Sequence, residues 1–158
     1  MTSAARLLAA LVLCASAALA ACDGDGPAGP GEPLTGRYLL HAVDGRPLPH
    51  VISSVPTEEH TLLAEAITFH ASGRATRERT SRRLRALEGR DTTYTLVARA
   101  EYRRSGTRVE IGFFRPCPPN ASCPANDVGT VEGEEMVLAS GLYRTRPGAA
   151  PVLAYTRP

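Results

Sequence analysis

Lysine and tryptophan are both absent from these 158 residues, and aromatic side chains are scarce, with five Tyr and three Phe. All 18 basic residues are therefore arginines, a bias that fits the codon usage of a GC-rich genome and needs no functional account. Catalytic signatures are missing too. The sequence has no G-x-S-x-G, no H-E-x-x-H, no Walker loop and no C-x-x-C, so the chemistries those motifs carry have no local support. No enzymatic activity and no cofactor are expected. Neither sign of charge is in excess: the formal net charge is +2, and so even a balance gives no electrostatic footprint for nucleic acid. No apolar run reaches the 18 or more residues that a membrane-spanning helix needs.

The longest apolar stretch opens the chain. Arg6 precedes it, residues 7–19 form its apolar centre, and Ala20-Ala21 supply small residues at its end, which are the three parts of a secretory signal. Leu19-Ala20-Ala21-Cys22 resembles the lipobox of bacterial lipoproteins. The resemblance implies that residues 1–21 are a signal peptide and that Cys22 becomes an acylated N-terminus carrying a diacylglyceryl group, often with a third chain. One acyl chain holds a protein to a membrane only marginally, whereas two or more hold it firmly. The implied location is the bacterial cell envelope, with the domain outside the cytoplasm and on the periplasmic side in a Gram-negative cell. Asp23, directly after that cysteine, is the residue that in enteric bacteria tends to retain lipoproteins at the inner membrane. Loss of the signal removes Arg6 and leaves 17 arginines against 16 carboxylates.

Four cysteines reduce quickly. Cys14 leaves with the signal and Cys22 would carry lipid, so Cys117 and Cys123 remain. Two cysteines in an exported chain read as a disulfide rather than free thiols. Pro116, Pro118, Pro119 and Pro124 surround them, which excludes helix and central strand, so the bridge would staple a loop. A zinc site would need more Cys or His close by. His41, His50, His60 and His70 recur at nearly even intervals, but even spacing does not bring side chains together, and no metal is expected. Residues 22–34 combine the lipidated cysteine with four Gly and three Pro. They read as a tether with a coil-like reach of roughly 20 Å.

From Thr35 onward no stripe of helical period appears, and turn residues recur at short intervals. Alternation of period two takes its place. Over residues 94–103, Tyr94, Leu96, Ala98, Ala100 and Tyr102 alternate with polar neighbours, and Val109, Ile111 and Phe113 resume the pattern. A two-residue turn at Ser105-Gly106 would set Tyr102 opposite Val109, Ala100 opposite Ile111 and Ala98 opposite Phe113. A second hairpin at Gly133-Glu134, with glycine first as a type II′ turn prefers, would set Val131 opposite Met136 and Gly129 opposite Leu138. Further strands are expected over 36–43, ending at Asp44-Gly45, over 60–70 with Leu63, Ile67 and Phe69 apolar, and over 151–157. Residues 74–84 are so polar that neither face reads as buried. The total of about eight strands with short connections predicts an all-β fold, an antiparallel up-and-down meander closed into one small barrel over 35–158. A monomer is expected.

Leu34-Thr35-Gly36-Arg37-Tyr38, Val43-Asp44-Gly45-Arg46-Pro47-Leu48-Pro49 and Ile67-Thr68-Phe69-His70-Ala71-Ser72-Gly73 follow in order, then Ser105-Gly106 and Gly129-Thr130-Val131-Glu132-Gly133. This succession is similar to the small lipocalin-like domains of bacterial lipoproteins, with Tyr38 standing where true lipocalins carry Trp. The resemblance implies a lipocalin-like barrel and a non-enzymatic role, with two readings. One is a small apolar ligand in an open lumen lined by Tyr94, Leu96, Ile111 and Phe113. The alternative is a protein-binding module, such as an inhibitor of a secreted hydrolase, with a filled barrel and the Cys117–Cys123 loop as its contact. Two further features stand open. The arginine-rich stretch 74–85 is either a contact for anionic lipid headgroups or a solvated hairpin, and Glu65 either faces the lumen or sits at its rim.

Overall fold

A computed structural model describes residues 32–112, 114, 125–141 and 150–158. Cys22, Phe113, Cys117 and Cys123 lie outside the described residues. Ten strands follow one another: β1 (Gly36–Val43), β2 (Arg46–Pro47), β3 (His50–Val55), β4 (Glu58–His70), β5 (Arg74–Arg85), β6 (Arg90–Ser105), β7 (Arg108–Gly112), β8 (Asp127–Glu132), β9 (Glu135–Ala139) and β10 (Val152–Thr156). Among the described residues a 3-10 turn stands at Ala86–Glu88, and none is in an α-helix. Every pairing is antiparallel, and β4 through β10 form an uninterrupted meander. The sheet closes because β1 bonds to β10 on one side and to β4 on the other. The result is the expected up-and-down barrel of eight strands, with β2 and β3 as two additional outer strands.

The hairpin at Gly133-Glu134 has the expected register, Val131 opposite Met136 and Gly129 opposite Leu138. The other hairpin differs. Its turn is Gly106-Thr107, not Ser105-Gly106, so Tyr102 faces Ile111 and Arg104 faces Val109. The physical reason is the same in both hairpins: the first of the two turn residues has positive φ, +58° at Gly106 and +59° at Gly133, a conformation that glycine adopts without steric cost. Because the register moves by two residues, Tyr102, Val109 and Ile111 keep the inward face and are all buried.

A second departure lies in β4. Leu62 pairs with Ser81 and Ala64 with Thr80, so β4 holds one extra residue, Leu63, at a bulge. The bulge switches the phase of the strand. Phe69, Ile67 and Glu65 point inward above it, but beyond it Leu62 takes the core position at 0 % exposure while Leu63 is only half-buried. Strict alternation from Phe69 had assigned the core to Leu63.

The core fills the barrel from one end. Tyr38, Phe69 and Tyr102 stack edge to face, with ring centroids 5.6 and 4.9 Å apart, a geometry that aromatic quadrupoles favour. Leu62, Ile67, Val109, Met136, Leu138 and Leu153 are fully buried around them. Leu34 also belongs to this core, and its carbonyl accepts the Tyr102 hydroxyl at 2.8 Å. Burial pushes the Tyr102 phenol above its usual range. The chain therefore enters the barrel beside Tyr102 and Phe69, at the end that carries the 71–73, Gly106-Thr107 and Gly133-Glu134 turns.

At the opposite end β4, β5 and β6 outrun their neighbours. β1 covers β4 only along residues 66–69 and β7 covers β6 only along 101–105. Beyond those ladders β3, β4, β5 and β6 continue as a four-stranded lobe tipped by the Ala86–Glu88 turn. Truncating Leu138 to Ala is expected to lower unfolding free energy by about 2–5 kcal/mol through lost burial and a residual cavity. Val137→Ala, on the exposed face of the same strand, is expected to cost under about 1 kcal/mol. Urea titration of both variants checks the inward assignment.

Candidate functional site

Three regions have the chemistry to act, and all begin with the side chains of β5. Its odd-numbered residues Ala75, Arg77, Arg79, Ser81, Arg83 and Arg85 share the inward face and climb from the floor of the barrel onto the lobe. A strand so rich in arginine on its inner face needs partners, because an isolated buried charge is prohibitively costly.

Arg77 and Arg79 meet those partners inside the barrel. The Arg77 guanidinium donates to Asp127 Oδ2 at 2.5 Å, and its Nε stands 3.4 Å from Glu65 Oε1. Arg79 Nε donates to Glu65 Oε2 at 3.1 Å. The Tyr155 hydroxyl donates to Glu65 Oε1 at 2.5 Å, and the Gly141 amide donates to Asp127 Oδ1 at 3.1 Å. Glu65 is 3 %, Arg77 7 % and Asp127 3 % exposed, so this is a desolvated network joining β4, β5, β8 and β10. Burial alone would lower the Arg77 pKa, but Glu65, Tyr155 and Asp127 outweigh it and hold the guanidinium protonated more firmly than in water. Glu65 thus faces the interior, and arginines of its own chain occupy it. With every carboxylate oxygen engaged, the network offers no acid–base or nucleophilic pair of the kind a reaction needs.

Beside it lies a small apolar cavity of about 120 Å³, lined by residues that include Ile67, Ala75, Arg77, Ala100, Ile111 and Asn126. This is comparable to a cavity that holds one benzene ring and well below the several hundred Å³ of a lipid- or drug-sized site. Of the four residues expected to line a lumen, Ile111 is buried in the core and borders this cavity. Tyr94 and Leu96 share its face but stand on the lobe, where Leu96 is 53 % exposed, and Phe113 lies outside the described residues. Of the three described, Ile111 alone borders this cavity.

On the lobe a second hollow, about 350 Å³, is lined by Arg83, Arg85, Arg90, Thr92 and Tyr94. Glu58 is shared here: Arg83 Nη2 donates to its Oε2 at 2.5 Å and Arg85 Nε at 3.2 Å, and His60 contacts its other oxygen. The Arg83 hydrogen bond, followed by that of His60, holds the Glu58 carboxyl down to about 2 from its ordinary 4.5. On the opposite face Arg82 grips Asp91 through three hydrogen bonds. Five of the six arginines in 74–85 are thus ion-paired, so this stretch is neither a free basic patch nor merely solvated.

Sequence reasoning missed Arg77 and Asp127, which are fifty residues apart and marked by nothing local. The odd spacing of Arg77, Arg79, Arg83 and Arg85 was the one available signal. Among the described residues, no three His, Cys, Asp or Glu side chains gather as a metal site, and no helix is long and apolar enough to cross a membrane. The chain matches no family model, no curated protein and no solved structure.

Two outcomes follow. Asp127→Ala is expected to destabilise the barrel by about 3–5 kcal/mol in urea denaturation, because it strands Arg77 in the interior. The pair Arg77→Met with Asp127→Leu is expected to recover most of that loss. Glu58, whose folded pKa is depressed, contributes stability that is fully present above pH 4.5 and is lost as pH falls towards about 2. Denaturation midpoints measured across that window are expected to flatten in Glu58→Gln.

Proposed function

We propose that this chain is a lipid-anchored, non-enzymatic binding protein of the bacterial cell envelope, lipocalin-like in its barrel, that engages a protein partner through its lobe. The observation that carries the reading is the contrast between the two halves of the fold. The barrel is filled by packed rings, aliphatic side chains and an ion-paired network, whereas the lobe carries large apolar side chains in solvent. Leu96 and Val97 stand out on β6, Val51 and Val55 on β3 and Leu87 at the tip. Among the described residues no strand borders the outer edge of β6 from Arg90 to Ala100. An open edge of that length, without proline, is a template for strand addition by a partner segment.

The direction of the chain supports the same reading. An anchor at Cys22 would join the barrel at Leu34, beside Phe69. The tip of the lobe lies eleven residues away along β4, roughly 36 Å at strand spacing. A tether reaching roughly 20 Å then presents the lobe away from the bilayer. The distal arginines Arg82, Arg83, Arg85 and Arg90 accordingly suit a partner in the aqueous space better than lipid headgroups beside the anchor. A second reading, a small apolar ligand, draws on the cavity beside Ile111 and is limited by its size to about one aromatic ring.

The full chain expressed with its signal is expected to partition into detergent and to give no saturable uptake of a fluorescent fatty acid. Cys22→Ala is expected to move it to the aqueous phase. Aqueous partition of the unaltered protein would defeat the anchor, and stoichiometric fatty-acid binding would defeat the filled-barrel reading.

A further inference from the structure

The hollow on the lobe is electrostatically incomplete. Arg85 and Arg90 are directly opposed across β5 and β6, and like charges in that position repel. Arg83, opposite Thr92 two pairs further in, brings a third guanidinium to the same face. Against three positive charges the structure sets Glu58, shared between Arg83 and Arg85, and Glu88, which takes Arg85 from the tip. Arg90 has no carboxylate partner among the described residues. Arg83 Nε, like Arg77 Nε in the barrel network, is buried without a hydrogen-bond acceptor, an omission that costs free energy. An unpaired guanidinium and an opposed like-charge pair thus meet at one hollow of about 350 Å³.

We infer that this hollow is an anion site formed by Arg83, Arg85 and Arg90, with Thr92 and Tyr94 as its wall, and that it takes a carboxylate side chain of an extended acidic segment of a protein partner. Guanidinium groups present planar forks that match a carboxylate in two-point contact. Three of the five lining residues, Arg90, Thr92 and Tyr94, belong to β6, the strand whose outer edge is open. A partner segment that pairs with this edge would carry its alternate side chains on the hollow's side of the sheet. Charge complementarity and the open edge therefore select the same occupant, an acidic strand. The inference rests on the reading of the lobe as a protein-binding element for the nature of the occupant, and on the arginine geometry alone for the anion site.

Calorimetric titration of the full-length protein in detergent with hexaglutamate tests it, with hexaglutamine, inorganic phosphate and vesicles of anionic phospholipid as parallel probes. Hexaglutamate is expected to bind and hexaglutamine not to. Binding is expected to weaken at least about tenfold between 0.05 and 0.5 M salt through screening. Arg90→Ala, at an exposed position outside the core, is expected to weaken it about five- to tenfold with an unchanged denaturation midpoint, and Arg90→Lys by less. Arg108→Ala, at the far end of the barrel, is expected to leave it intact. Hexaglutamate binding that is absent, or indifferent to Arg90→Ala, overturns the site. Arg90-dependent binding of phosphate or vesicles in preference to hexaglutamate overturns the assignment of an acidic strand. Detergent partition and fatty-acid uptake are read separately, so loss of the anion site leaves the proposed anchoring and filled barrel to stand or fall on their own measurements.

Discussion

The ion network at Glu65, Arg77 and Asp127 is the constraint on which the rest of the barrel depends. It lies at the level where the apolar core gives way to the lobe, and it joins β4, β5, β8 and β10 across the interior. Hydrophobic burial is non-directional and tolerates many packings. A carboxylate held between two arginines and a tyrosine does not. It requires one register of β4 on β5 and one placement of β8 opposite them. Such a network is weak evidence for net stability, because desolvation offsets most of its attraction. Its effect is to raise the cost of every alternative alignment of this sheet.

The same network decides what the interior can do. Below it, rings and aliphatic side chains leave a cavity of only about 120 Å³. At its own level, the groups that could bind a polar guest are bound to each other. On the lobe, strands run past their partners and, among the described residues, leave apolar side chains and the outer edge of β6 uncovered.

Much of the fold was legible in the sequence because it is encoded locally. Glycine as the first turn residue fixed the Gly133-Glu134 hairpin, Asp44-Gly45 ended β1, and alternation placed Tyr102, Val109 and Ile111 inside. What was not legible depends on distant or unmarked features. The bulge at Leu63 has no proline or glycine to announce it, and it exchanges the burial of two adjacent leucines. The inner arginines looked like solvent-facing residues because their counter-charges, Glu58, Glu65 and Asp127, come from other strands. Tyr94 and Leu96 have the inward phase that alternation predicts, but the barrel ends before it reaches them. Alternation reports which face a side chain takes and not whether anything covers that face.

An arginine-only chemistry also shapes how this protein meets its surroundings. Both cations of the buried network, Arg77 and Arg79, are guanidinium groups, which retain their protons far beyond the range where an ammonium begins to lose its own. Alkali therefore finds no arginine of these pairs to neutralise. A lysine-built version of the same ion pairs would lose its cations as pH rises, and this one keeps them.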